Sequence, residues 1–279
     1  MFSFSLLNGI PFRDVEERVH SILSEHKDQD PDPPTACRML SCLDLTTLEG
    51  TDHEAKVVAL CNKALALKEK NLPAPAAVCI YPPFIGIARQ TLRESGIRVA
   101  TTAGAFPSGQ MALRVKLEEI RYAVGEGADE IDIVISRGTF LENHYHIVYR
   151  EIDAMRDLCR DITLKVILET GELGTFENIA KASEIAIEAG ADFIKTSTGK
   201  IQPAATESAV YVMLEVIRAH YNRSGKRVGI KPAGGISEPS MALNYYSLVK
   251  ELLGEEWLTP RFFRIGASRL ADRLTEIIL

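Results

Sequence analysis

The decapeptide Ala191-Asp-Phe-Ile-Lys-Thr-Ser-Thr-Gly-Lys200 changes character at its midpoint. Its first half is largely apolar and β-prone, like a short buried strand, and Thr196 to Gly199 is the hydroxyl and glycine punctuation where a strand gives way to a loop. Lys195 stands at the junction. Burial disfavours an ammonium ion and lowers its pKa, so a lysine ending a buried strand is costly unless it is ion-paired, snorkels to water or serves as an amine.

Outward from this stretch, the strand-to-loop unit recurs. Short apolar runs stand at 38–45, 76–81, 97–103, 129–135, 162–169, 191–195, 227–231 and 262–266, eight in all. Helical periodicity fills the intervals, roughly 53–70, 84–95, 111–126, 145–160, 176–189, 206–221 and 238–252, and a last helix begins at 268. Uninterrupted alternation implies a parallel sheet, and eight units over about 245 residues predict a (β/α)8 TIM barrel. A doubly wound open sheet is the alternative. It is disfavoured because no strand-to-helix junction carries a G-x-G-x-x-G or Walker A loop.

Ahead of the barrel, Phe12, Val15, Val19, Ile22 and Leu23 form one stripe and predict a helix over 12–27. Three prolines and three aspartates between Asp28 and Thr35 then read as a linker. The expected organisation is an additional N-terminal helix with linker over 1–35 and a catalytic barrel over 36–279.

Composition narrows the function. The chain has 279 residues, a formal net charge of -6 and no basic run, which argues against nucleic acid and anionic membrane surfaces as partners. The five cysteines have no C-x-x-C spacing and no histidine at metal-ligand spacing, so they read as reduced thiols in the cytosol. The apolar start, Met-Phe-Ser-Phe-Ser-Leu-Leu, lacks a basic region and is broken by Asn8, Gly9 and Pro11, so it is a poor signal peptide. No apolar run approaches the ~18 residues of a membrane span.

In a barrel, chemistry sits at the C-terminal strand ends, often with a phosphate site after strands seven and eight. Those ends are unusually charged. Strand one carries Asp44 and Thr46, strand two Cys79, strand four Asp129, Glu130 and Asp132, strand five Lys165 and Glu169, strand six Lys195 and strand seven Lys231. Both faces of a barrel strand are buried, so Asp132 and the lysines must be paired or used. A structural ion-pair network is one reading. Against it, in a network of Asp132, Lys165, Lys195 and Lys231 three lysines meet one or two carboxylates, and an excess of buried positive charge lowers a lysine pKa, as an amine nucleophile requires. Gly199-Lys200, Gly234-Gly235 and Gly266-Ala267-Ser268 follow strands six, seven and eight. Their N–H groups and hydroxyls could form an anion pocket beside Lys195, although each glycine alone could serve the backbone.

Several motifs together resemble the 2-deoxyribose-5-phosphate aldolase family: Asp-Leu-Thr-Thr-Leu at 44–48, Gly-Ala-Asp-Glu-Ile-Asp at 127–132, Glu-Thr-Gly-Glu-Leu at 169–173, Asp-Phe-Ile-Lys-Thr-Ser-Thr-Gly-Lys at 192–200 and Val-Gly-Ile-Lys-Pro-Ala-Gly-Gly-Ile at 228–236. The resemblance runs from about Leu40 to Ser268. It implies a class I, metal-independent and cofactor-free lyase on a (β/α)8 barrel, which reversibly cleaves 2-deoxy-D-ribose 5-phosphate to D-glyceraldehyde 3-phosphate and acetaldehyde in deoxynucleoside breakdown. By the same resemblance, Lys195 is the Schiff-base lysine, Lys231 depresses its pKa, and Asp132 moves protons with a water. Asp44 and Thr46 are expected at the substrate hydroxyls and Cys79 at the pocket wall. Lys165 and Thr198 are expected substrate-binding residues, and Gly199, Lys200, Gly234, Gly235, Ser237 and Ser268 should surround the phosphate.

Two departures stand out. The chain stops at Leu279 without the tyrosine tail of some members, and Ser237 and Arg269 stand where a basic residue and a serine are often found, as if a positive charge had moved around the phosphate. The expected partners are small phosphorylated sugars and aldehydes; a homodimer is compatible with this reading, and the sequence leaves assembly open. Rivals are another Schiff-base aldolase, a phospho-sugar isomerase with a carboxylate base, and a catalytically silent phosphate-binding barrel.

Overall fold

The computed structural model describes residues 3–24 and 29–279. Eight parallel strands alternate with helices: β1 (Leu43–Thr46), α3 (Glu54–Glu69), β2 (Ala77–Ile80), α4 (Ile85–Thr91), β3 (Arg98–Ala103), α5 (Leu113–Gly125), β4 (Glu130–Val134), α6 (Arg137–Leu141), α7 (Tyr145–Leu158), β5 (Thr163–Ile167), α8 (Phe176–Glu188), β6 (Phe193–Lys195), α9 (Glu207–Ser224), β7 (Gly229–Lys231), α10 (Pro239–Leu253), β8 (Ile265–Ala267) and α11 (Leu270–Ile278). Neighbours pair in chain order, and β8 returns to pair with β1. The remaining seam is joined by backbone bonds from Ile230 N to Phe262 O at 2.9 Å, Arg264 N to Ile230 O at 3.0 Å and Gly266 N to Pro232 O at 2.9 Å. This is the TIM barrel that the alternation predicts.

Two helices precede it, α1 (Val15–Leu23) and α2 (Pro33–Ser41). The first packs outside the barrel on α9 and α10; residues 25–27 of its expected span lie outside the described residues. The second corrects the linker expected over 28–35 and the strand expected over 38–45. Asp32 caps this helix by accepting from Thr35 N at 2.7 Å, and Pro33 and Pro34 occupy its first turn, where a missing N–H costs nothing. Proline therefore opens a helix here rather than marking a loop. The short α6 was also not anticipated.

Strand parity then sorts the side chains. Leu43, Leu45, Ile131, Ile133, Leu164, Val166, Ile194 and Ile230 face the helices and join the main apolar core. The opposite parity fills the barrel with Asp44, Glu130, Asp132, Lys165, Lys195 and Lys231, all fully or almost fully buried. A barrel interior is ordinarily layered with branched aliphatics; this one is charged. Two strand glycines make room for it. A Cβ on Gly229 would lie 2.3 Å from the Phe193 ring, and one on Gly266 would lie 2.8 Å from Ala233 Cβ and 3.2 Å from Lys231 Cε.

Candidate active site

At the centre is Asp132, whose Oδ1 accepts from Lys165 Nζ at 2.8 Å and whose Oδ2 accepts from both Lys195 Nζ and Lys231 Nζ at 2.8 Å. Lys165 also pairs with Glu130 at 2.5 Å, and Lys231 with Asp44 at 2.5 Å. Below them Arg264 spans Asp44 at 2.6 Å and Glu130 at 2.7 Å. The network thus holds four cations against three carboxylates.

This balance decides which amine is different. Lys165, Lys231 and Arg264 each contact two or more carboxylates, whereas Lys195 contacts Asp132 alone. Lys165 and Lys231 are held above the usual lysine range, because Asp132 with Glu130, and Asp132 with Asp44, outweigh their burial. Lys195 is pushed below it, first by burial and then by the Lys231 charge, against the pull of Asp132. Asp132 itself is held well below the carboxylate range, burial being overcome by Lys165, Lys195 and Lys231. Burial, more than Lys231, is therefore the main cause of the Lys195 shift.

Above Lys195 opens a cleft of about 430 Å³ at the C-terminal end of the barrel. It brings together Lys195 with Thr46, Thr198, Gly199, Lys200, Gly234, Gly235, Ser237 and Ser268. Gly199, Gly234 and Gly235 have φ of +76°, +89° and +77°. Gly234 is needed for closeness as well as φ, since its Cβ would lie 2.6 Å from Ala204 Cβ and 2.7 Å from Ser197 Oγ. Gly235 faces open space, with nothing within 4 Å of an added Cβ. Lys200 reaches across the mouth to Glu49 at 3.1 Å, and Lys56 pairs with Asp52. Arg269, on the same wall, has no carboxylate partner among the described residues.

Asp44, Lys165 and Cys79, expected at the substrate, lie elsewhere. All are fully buried in the layer beneath the cleft and do not line it. Asp44 is committed to Arg264 and Lys231, Lys165 to Asp132 and Glu130, and Cys79 packs with Leu48, Ala77 and Ala100, where burial pushes its thiol up. Asp132 and Lys231 belong to the same buried layer, one hydrogen bond below the Lys195 amine at the cleft floor.

Sequence reasoning gave no role to Arg264, Glu130 or Glu169. Arg264 lies two residues before inward-facing Gly266, so the parity that points to Lys195 also points to it. Glu169 follows β5 in the left-handed region at φ +57°. Its Oε1 accepts from Thr198 N at 3.1 Å, its Oε2 accepts from Thr198 Oγ1 at 2.5 Å, and Arg137 lies 3.4 Å away. Glu169 thereby holds the loop that follows Lys195.

An eight-stranded parallel barrel with an amine of lowered pKa at the floor of its C-terminal cleft defines an enzyme equipped for amine-carbonyl chemistry. The chain belongs to the DeoC/LacD aldolase family, whose model matches residues 38–243, and it is a lyase. It is 46% identical over 246 residues to the deoxyribose-phosphate aldolase of Homo sapiens, covering 84% of this chain and 77% of that protein. It is 45% identical to that of Bos taurus over the same length and shares. Among solved structures, one from Toxoplasma gondii ME49 aligns with a TM-score of 0.80 at 25% identity, covering 88% of this chain and 94% of that one. The tetrameric deoxyribose phosphate aldolase of Aeropyrum pernix shares the fold, with a TM-score of 0.69 at 24% identity, covering 95% of this chain and 96% of that one. No described helix is long and apolar enough to cross a membrane.

Proposed function

We propose that this enzyme reversibly cleaves 2-deoxy-D-ribose 5-phosphate to D-glyceraldehyde 3-phosphate and acetaldehyde through a Schiff base on Lys195. The observation that carries this reading is the single-carboxylate environment of Lys195 at the cleft floor, beside two lysines with two or more carboxylate contacts each. The neutral Lys195 amine attacks the C1 aldehyde to give a carbinolamine, which loses water to become an iminium ion. That cation accepts the electron pair of the C2–C3 bond as the C3 hydroxyl proton leaves. D-Glyceraldehyde 3-phosphate departs, the remaining two-carbon enamine is protonated at C2, and water releases acetaldehyde.

Protons are handled through Asp132, which shares Oδ2 between Lys195 and Lys231 and is the carboxylate nearest the reacting nitrogen. Lys231, kept protonated, supplies charge and a donor. Lys165 and Asp44 act from beneath by fixing Asp132 and Lys231, and Cys79 fills the interior behind them. Thr46 and Thr198 face the sugar. Gly199, Gly234, Gly235, Ser237 and Ser268 receive the phosphate by backbone N–H groups and hydroxyls, and Arg269, with Lys200 and Lys56 engaged by acidic neighbours, provides its charge. Phosphate binding, remote from the broken bond, orients the reacting carbons.

As part of the same reading the reaction is cytoplasmic, and a homodimer is the assembly compatible with it. The five free thiols, four of them buried, support a reducing compartment, and light scattering on the purified chain tests the assembly. The reaction itself is tested by acetaldehyde and borohydride. One two-carbon adduct on Lys195, lost with turnover in Lys195→Ala, is the expected result; an adduct on Lys231 would exchange the two roles.

A further inference from the structure

A second, larger cavity is at the opposite end of the barrel from the cleft and shares no lining residue with it. It measures about 1150 Å³ and is walled by the N-terminal strand ends, with Ala76 before β2, Arg98 opening β3, Thr163 opening β5 and Arg264 before β8. Six arginines line it, Arg98, Arg156, Arg160, Arg227, Arg261 and Arg264, with three aspartates and no lysine. On a chain of net charge -6 this concentration is local, not a bulk property.

Aspartates neutralise it only in part: Asp192 takes up Arg156, and Arg160 pairs with Asp157 at 2.9 Å. Asp192 accepts from Leu164 N at 2.8 Å and pairs with Arg156 at 2.6 Å, and Asp129 is held by Val99 N at 2.8 Å and by Arg89. Arg264 is committed to Asp44 and Glu130 and contributes field from the floor. Arg98 has only 3.5 Å contacts, to Glu130 and Thr163. Arg261 lies over the Phe262 ring and is in no ion pair among the described residues. Arg227 stacks 4.8 Å from the Trp257 ring, with Glu256 at 3.9 Å, which holds its guanidinium plane and leaves its edge to donate. Guanidinium forks whose carboxylate contacts are as long as 3.5 Å at Arg98 and 3.9 Å at Arg227, and absent among the described residues at Arg261, keep donors for the oxygens of linked phosphates.

We propose that this arginine-lined cavity is a second binding site, for a compact polyanion bearing two or more phosphate groups. Linked phosphates offer separate oxygens to Arg98, Arg227 and Arg261, which line the same cavity. The site is independent of the aldolase reaction assigned to the cleft.

Calorimetric titration of the full chain with inorganic tripolyphosphate tests it, using the unmodified protein, Arg98→Ser/Arg261→Ser and Gly235→Val. The unmodified chain and Gly235→Val should bind it with the same affinity. The double variant should bind about tenfold more weakly or worse, the loss of one to two charge-assisted hydrogen bonds, while its turnover and melting temperature stay unchanged. If serine unsettles the fold, Arg98→Gln/Arg261→Gln reads the same loss. Unaltered affinity in the double variants, loss confined to Gly235→Val, or equal affinity for monophosphate and tripolyphosphate would each overturn the proposal.

Discussion

Lys195 and Lys231 differ in chemistry because they differ in company. Both donate to the same Asp132 oxygen at 2.8 Å, yet Lys231 has Asp44 as a second anion and Lys195 has none. Lys231→Met keeps an attackable amine at 195 and changes its surroundings in two ways that act together. The repelling cation is lost, and Asp132 Oδ2 is left to Lys195 alone, so the ammonium form is stabilised and its pKa moves back toward ~10.4. Trapping by acetaldehyde and borohydride should therefore fall at pH 7 and recover in alkaline buffer. Because burial remains, the recovery should be complete before the pH reaches that of a free lysine. Labelling is the measurement to compare, since turnover also loses a donor beside Asp132 at every pH. Undiminished labelling at pH 7 would mean that Lys231 has no part in depressing Lys195. The scheme draws on no metal, because the iminium ion does the polarising and Asp44, Glu130 and Asp132 are each engaged by lysine or arginine. EDTA should leave turnover intact; activity restored only by added zinc would contradict it.

At the scale of elements, the loop between β7 and α10 does two jobs through adjacent glycines. Gly234 lets the loop pass Ala204 and Ser197, whereas Gly235 keeps the cleft open on a side that no protein atom occupies. Gly235→Val should raise KM for the phosphorylated sugar by roughly tenfold or more, equivalent to about 1.4 kcal/mol, and change KM for unphosphorylated deoxyribose much less, while valine at φ +77° also lowers the melting temperature. Gly234→Ala should lower the melting temperature too but impair both substrates alike. Equal losses on both sugars from Gly235→Val would show that it too serves the fold. These loops were legible in the sequence because glycines after successive strands, Gly199, Gly234-Gly235 and Gly266, have a position as well as a composition. The element boundaries near the N-terminus were not. Asp32-Pro33-Pro34 has the composition of a turn, and only its place ahead of Thr35 and the apolar Ala36, Met39 and Leu40 makes it a capped helix start. Strand ends were misjudged for a related reason, since Met39 and Leu40 are as apolar on a helix as on a strand.

For the whole molecule, alternation was enough to read the barrel, because each helix-strand unit buries its apolar face on the same sheet whatever the loops contain. The charged interior was only half legible. The lysines and Asp132 stood out as charges within apolar runs, but which carboxylates answer them depends on register between strands far apart in sequence, as when Arg264 before β8 meets Glu130 on β4. That pair joins the barrel across its axis and sets its acid stability. Glu130 is fully buried and held below the usual glutamate range, burial being outweighed by Lys165 and Arg264. A carboxylate whose folded pKa is depressed stabilises the fold above its unfolded pKa, ~4.3, and that contribution is lost as pH falls through the folded value. Glu130→Gln leaves Arg264 with Asp44 alone and Lys165 without its contact at 2.5 Å. It should therefore cost about 3–5 kcal/mol at pH 7, the penalty of an uncompensated buried charge. The difference from the unmodified protein should stay constant from pH 7 to about 5 and narrow only below pH ~4, where the glutamate is itself driven toward the neutral form that glutamine imitates. Urea unfolding at a series of pH values measures it. A difference that is already small at pH 7 would mean that Arg264 and Lys165 are satisfied without Glu130, and that the buried network is looser than its 2.5–2.8 Å contacts imply.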